Sequence, residues 1–193
     1  MKKNIFLIVI LFSIILISCS LKENKNFELK PELAKTLIEL DDALLNLQMK
    51  DSTQIDIGSI KCPHCNILHT RAAEAVYPLS VAYKITKENK YLNSAISLGN
   101  WLIKHQEEDG SWKETPEEWT GTTTDQLLMM ILSYPILEKS LSDFEKESWK
   151  NSITKAADYL TEVMSPEFAS INYVATTTAT LAAANKLLRY EKY

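Results

Sequence analysis

The sequence predicts an all-α protein built of antiparallel helical hairpins, and three observations carry that prediction. From Pro31 onward, apolar residues recur at the three- and four-residue steps of a helix in one segment after another. No stretch shows the sustained two-residue alternation that a half-buried strand needs. Short motifs recur at a spacing of 57 to 58 residues, which is the mark of a repeated supersecondary unit. The composition agrees. With 4 glycines in 193 residues, the chain is poor in the turn formers of a β-sandwich or barrel. A hydrophobic share of 46% supplies a real core and excludes wholesale disorder.

The first residues read as an address. Met1-Lys2-Lys3 is a basic start, and residues 5–17 form an apolar run broken only by Ser13, short for a membrane span. The run ends in Leu16-Ile17-Ser18-Cys19, which resembles a bacterial lipobox, so residues 1–18 are expected to be a lipoprotein signal peptide and Cys19 the lipidated residue. Ser20 is not the aspartate associated with inner-membrane retention, which favours the outer membrane. The polar residues of 19–30 read as a lipidated tether, and 31–193 as one helical-hairpin domain.

Helical periodicity then covers 31–50, 67–86, 90–106, 123–139, 143–164 and 171–188, with 51–66 irregular. In the first helix Leu33, Leu37, Leu40, Leu44 and Leu47 mark the expected apolar face. Tyr77-Pro78 recurs as Tyr134-Pro135, and Asn93-Ser94 with Trp101-Leu102 recurs as Asn151-Ser152 with Tyr159-Leu160. A third copy begins late, where Ala184, Lys186, Lys192 and Tyr193 match Ala82, Lys84, Lys90 and Tyr91. The expectation is a hairpin repeated about two and a half times. Gln126–Tyr134 is apolar nearly all round and Val174–Ala184 is small and weakly polar, so these helices should be inner. Leu92–Gln106 and Trp149–Met164 carry polar faces and should be outer. Alternating inner and outer helices is the pattern of a partial (α/α) toroid or an open solenoid. The longer links (51–66, 107–122, 165–170) would then share one end, at the N-termini of parallel inner helices, where anionic groups are favoured.

Charge sets limits on partners. Lys+Arg 21 against Asp+Glu 25 gives a net charge of −4, with no basic stripe to neutralise phosphates, so no nucleic-acid partner is expected. Gly58, Gly99, Gly110 and Gly121 are too scattered to build a phosphate-binding loop, which argues against nucleotide-dependent chemistry.

The loops carry the candidate chemistry. In Gln106-x-x-Asp109-Gly110-Ser111-Trp112, Asp-Gly makes a turn and the indole packs back over the helix end. Trp119 stands among Glu114, Glu117 and Glu118; an aromatic face beside hydrogen-bonding acids suits a sugar ring, and a solvated acidic loop is the plainer alternative. Glu117, Glu118 and Asp125 are the candidate acids, though nothing in the sequence pairs any two of them as a glycosidase requires. Asn172-Tyr173 opens an inner helix, where Tyr173 could move a proton and Asn172 neutralise charge, or both could simply pack and cap. His69 and Arg71 could face substrate, Arg71 meeting a sugar carboxylate. Together with Trp112, Trp119 and Asn172 they complete the substrate-binding candidates. His105 is expected to be exposed and inert.

Cys62-Pro63-His64-Cys65 leaves three readings open. It resembles the active site of periplasmic disulfide oxidoreductases, but the sheet those enzymes need is not visible. Cys62, Cys65 and His69 could instead ligate a structural zinc, with a fourth ligand to be found. Outside the cytoplasm the pair could equally form a local disulfide or stay unpaired. No other cofactor is required by the sequence.

Over about residues 60–193 the chain resembles the α/α-toroid, six-hairpin glycosidase-like proteins that bacteria use on polysaccharides. The carriers are the Gln106–Trp112 motif, Glu117-Glu118-Trp119-Thr120-Gly121-Thr122 and the paired-helix period. The resemblance implies a polysaccharide or oligosaccharide partner and either hydrolase or lyase chemistry, in a family that also contains non-catalytic relatives. A helical-repeat binding module is therefore the rival reading. The family closes a ring of about six hairpins, so the resemblance implies a truncated toroid of little activity alone, prone to self-association through its open edge.

Overall fold

The computed structural model describes residues 29–51, 53–113 and 120–189. The lipidation site Cys19, the leader, and Glu114, Glu117, Glu118 and Trp119 lie outside the described residues. Pro31 opens a unit distinct from residues 1–30, and the account below concerns that unit. Its described residues hold six α-helices: α1 (Pro31–Leu47), α2 (Val76–Thr86), α3 (Asn89–Lys104), α4 (Thr123–Leu137), α5 (Asp143–Val163) and α6 (Ile171–Leu188). Short 3-10 turns, Thr70–Ala75 and Glu138–Ser140, lead into α2 and out of α4. No strand occurs among the described residues, only two isolated bridges, Gln48 with Ile60 and Lys61 with Leu68. The all-α expectation is met.

The helices form two rows. Helix α4 packs between α2 and α6, and α3 packs against both α1 and α5. Hydrogen bonds fix the directions. Gln126 Nε2, in the first turn of α4, donates to Thr70 Oγ1 at 2.8 Å, and Thr124 Oγ1 shares a 2.8 Å bond with Thr177 Oγ1 of α6. The N-terminal parts of the inner segments therefore lie side by side, which agrees with the parallel inner helices that would gather the longer loops at one end. Trp149 Nε1 donates to Asn100 Oδ1 at 2.8 Å while Gln106 Nε2 donates to Ser152 O at 3.0 Å, so α3 and α5 are parallel as well.

Local chemistry explains the boundaries. Ser142 accepts from Glu145 N while the Glu145 carboxylate accepts from Ser142 N at 2.8 Å, a capping box that starts α5. Lys87 takes a left-handed conformation (φ 63°) and turns α2 into α3 without a glycine. Gly99 lets α3 approach α5, because a Cβ there would overlap the Trp149 ring. Trp101, Trp112, Trp149, Tyr91 and Tyr134 are fully buried and fill the space between the rows.

Two sequence expectations need correction. Helix α1 does not bury its leucine stripe: Leu33, Leu40 and Leu47 are exposed, whereas Asp41 and Leu45 are buried. Periodicity identified the helix but not its rotation, since Asp41 interrupts the face that packs. The repeat also begins earlier than the two and a half hairpins expected, because α1 takes part in it. Tyr91 OH donates to Asp42 Oδ1 at 2.8 Å just as Trp149 Nε1 donates to Asn100 Oδ1, and both aromatic and acceptor positions are shifted by 58 residues. Helix α1 is thus the first outer helix, and the unit is three outer–inner pairs. Beyond its contacts with α4 and α5, α6 leaves Ala175, Thr178, Ala179 and Ala182 exposed.

Candidate functional site

The N-terminal ends of the inner segments gather the chemistry. Thr70 opens the 3-10 turn and donates from Oγ1 to Lys113 O at 2.7 Å, while its Oγ1 accepts from Gln126. All three positions flank candidate residues. Arg71 follows Thr70, Asp125 precedes Gln126, and Lys113 closes the Gln106–Trp112 turn. Arg71 Nε donates to Glu74 Oε1 at 3.0 Å, and its Nη2 stands 3.9 Å from Asp125 Oδ2. The guanidinium is about half exposed and is bracketed by two carboxylates from different elements. An Arg held in that way presents a fixed fork to an incoming carboxylate. The first turn of α4 is held by Asp125 N donating to Thr122 O, and Thr122, Thr123 and Thr124 are all buried.

Tyr173 is half-buried and lies one turn before Thr177, on the side of α6 that meets α4. Its phenol therefore belongs to the same end of the inner row as Asp125. Asn172 is exposed, and its Oδ1 accepts from Ser170 Oγ at 2.5 Å, which is helix-start chemistry. Arg71, Asp125 and Tyr173 thus lie at adjacent inner-helix starts, and Asn172 is exposed beside Tyr173.

Trp112 must be removed from the substrate-binding set. It is fully buried, its Nε1 donates to Leu102 O at 2.9 Å and its backbone N donates to Thr123 Oγ1 at 3.0 Å. No sugar can stack on an indole with no exposed face. The rest of its motif is a turn built as the residue types require. Asp109 Oδ1 accepts from Ser111 N (2.9 Å) and Ser111 Oγ (2.7 Å), and Gly110 has φ +95° and so close an approach to the Lys155 backbone that a Cβ would overlap it. His105 is also corrected. Its Nδ1 lies 2.9 Å from Trp101 O and its Nε2 3.4 Å from Asp56 Oδ1, so it fastens the end of α3 to the preceding loop.

The cysteine segment forms a tight turn before the inner row. Cys62 N donates to Ile67 O (3.0 Å), Asn66 N donates to Cys62 O (2.9 Å), and Asn66 is left-handed at φ 62°. Both cysteines are free thiols. Hydrogen bonds from the backbone N–H of Cys65, the Cys65 thiol and the backbone N–H of His64 hold the Cys62 thiol below its ordinary pKa. Cys65 Sγ lies 3.1 Å from His69 Nε2, and the donor atoms of Cys62, Cys65 and His69 all fall within 4.8 Å of one another.

Sequence reasoning did not single out Thr70, Gln126 or Asp56. Thr70 and Gln126 read as ordinary helix-start and inner-helix residues, and only the pairing of two elements 56 residues apart gives them a role.

Residues 37–193 match the family described as the ulvan lyase N-terminal domain. The chain belongs to that family. A broad-specificity ulvan lyase of Formosa agariphila is 26% identical over 160 residues, an alignment covering 81% of this chain and 25% of that enzyme. The chain therefore spans about a quarter of the length of the curated relative it matches. As a member of the ulvan lyase N-terminal domain family, the chain is polysaccharide-lyase-like, and the carbohydrate expectation from the Gln106–Trp112 turn and the hairpin period is met at that level.

Proposed function

We propose that this chain binds ulvan or a closely similar acidic polysaccharide and contributes to its cleavage by elimination, with the substrate lying across the N-terminal ends of α2, α4 and α6. The family membership over residues 37–193 is the observation that carries this reading. In it, Arg71 receives a sugar carboxylate, which spreads the charge that builds when the neighbouring carbon loses its proton. Tyr173 takes that proton and passes it to the glycosidic oxygen as the bond from that oxygen to the sugar breaks and a carbon–carbon double bond forms in its place, with Asn172 beside it. Glu117, Glu118 and Trp119 are the loop candidates for contact with the sugar. Glu74 and Asp125 orient the guanidinium. The paired rows continue the pattern of an (α/α) toroid.

The same proposal places the protein in the cell envelope, as an outer-membrane lipoprotein anchored through Cys19 after removal of residues 1–18. Among the described residues no helix is long and apolar enough to cross a membrane. Metabolic labelling with a palmitate analogue tests the anchor; label retained in Cys19→Ala would remove it.

The activity is tested by incubating the full chain with ulvan and following the ultraviolet absorbance of unsaturated products. Product formation that Tyr173→Phe abolishes and Asn172→Ala slows supports catalysis. Saturable ulvan binding without product makes the chain a binding module, and an absence of both binding and product sinks the proposal.

A further inference from the structure

We infer that Cys62, Cys65 and His69 form a zinc site that clamps the turn of residues 62–66 to the start of the inner row. The donor set is two thiolates and one imidazole, the soft and borderline ligands that zinc prefers, at a C-x2-C-x3-H spacing. Spacing alone left disulfide, free thiols and metal equal, and the geometry separates them. A local disulfide needs only the two sulfurs. Here a third donor from another element, His69 Nε2, comes to 3.1 Å from Cys65 Sγ and within 4.8 Å of both sulfurs. The three donor atoms lie close enough together to share one ion.

The turn is also built for the purpose. Asn66 in the left-handed region closes it, and the Lys61–Leu68 bridge holds its two arms together. Cys62 and His69 are half-buried while Cys65 is exposed, so an ion could enter from solvent, and water would fill the fourth position.

The consequence is positional. His69 O accepts from Ala72 N at 2.9 Å at the head of the 3-10 turn, and Thr70 and Arg71 follow directly. An ion at this place would fix where that turn begins, outside the Arg71–Asp125 group and independent of whatever the protein does to polysaccharide.

The test is metal analysis of the full chain purified under reducing conditions. Zinc is expected at one ion per chain, with both thiols protected from alkylation until a chelator is added and the melting temperature lowered by its removal. Cobalt in place of zinc should give thiolate charge-transfer absorption, reporting sulfur ligation in the wild-type protein without any substitution. Cys65→Ser and His69→Ala should weaken zinc binding by more than the roughly 10- to 100-fold that loss of a supporting group costs, whereas His69→Cys should retain it. Metal-free protein with a Cys62–Cys65 disulfide, metal-free protein with two freely alkylated thiols, or zinc affinity unchanged in His69→Ala would each overturn the assignment.

Discussion

Gln48 and Gln106 make the same pair of hydrogen bonds 58 residues apart. Gln48 Nε2 donates to Gly58 O (2.8 Å) and Ser94 O (3.1 Å), and Gln106 Nε2 donates to Gly110 O (2.9 Å) and Ser152 O (3.0 Å). Each amide ties an outer helix to the positive-φ glycine of its own following loop and to the next outer helix. The glycines match too: Gly58 is pressed against the Ser97 backbone and Gly110 against that of Lys155, again 58 residues on. The repeat is therefore a repeat of bonds, carried by residues that need not resemble one another elsewhere. Replacing either glutamine by alanine leaves two carbonyls without their donor, and we expect a loss of about 1–3 kcal/mol for each variant. Urea midpoints at unchanged m-value would show it; a loss under 0.5 kcal/mol (roughly the scatter of neutral surface changes) would mean the bonds are incidental.

Trp112 gives a sharper contrast between structure and binding. Trp112→Ala removes a fully buried indole and its bond to Leu102 O, at an expected cost of ~3–5 kcal/mol. Trp112→Phe should lose less, because the ring volume largely remains. In any variant that still folds, affinity for polysaccharide should match wild type within twofold (about 0.4 kcal/mol). A large affinity loss in folded Trp112→Phe would return the indole to the binding site.

These cases show what could be read in advance. Helix positions, the inner and outer rows and the turn at Asp109-Gly110 were legible because each rests on local rules: periodicity, turn chemistry and motif spacing. Gln48 was not legible as the partner of Gln106, since the loop to Gly58 is longer than the loop to Gly110 and hides the alignment. The rotation of α1 was hidden for another reason. Its exposed leucines outnumber its buried ones, and only contact with α2 and α3 decides which face is in. At the site, Arg71, Asp125 and Tyr173 were legible as residue types on helix starts, but the Thr70–Gln126 bond that aligns two of those starts is visible only in three dimensions.

Asp41 makes stability depend on pH in an unusual direction. It is buried, its Oδ2 has no hydrogen-bond partner among the described residues, and burial with the adjacent Asp42 charge lifts its pKa to about 7. The folded state then holds a proton that the unfolded chain releases near pH 4. Between about pH 4 and pH 7 the folded form binds more protons, so this group's contribution to stability falls as pH rises and levels off above about 7. Asp41→Asn should remove the slope, and melting curves of both proteins across this range give the difference directly. A wild-type minus Asp41→Asn difference that is flat with pH would contradict the burial argument.

Arg71 tests the functional proposal most directly. Its Nε is bonded to Glu74 at 3.0 Å, its Nη2 stands 3.9 Å from Asp125, and the side chain is about half exposed, so a substrate carboxylate can reach the guanidinium from solvent. A charge-assisted bond of that kind contributes about 1.5–3 kcal/mol, so Arg71→Ala should weaken ulvan binding on the order of 10- to 100-fold. Arg71→Lys keeps the charge without the fork and should fall between the two. Because Arg71 is partly exposed, wild-type affinity should drop as salt is raised from 50 mM to 500 mM (a range over which the Debye length shrinks roughly threefold), and the Arg71→Ala protein should respond less. Gln126→Leu is the informative companion. It leaves Arg71 and Asp125 in place but cuts the Gln126–Thr70 bond that sets the two helix starts against each other, so it should lower stability by about 1–3 kcal/mol and reduce affinity less than Arg71→Ala does. Equal ulvan affinity in wild type and Arg71→Ala, measured by titration calorimetry at low salt, would move the carboxylate-binding role elsewhere on the chain.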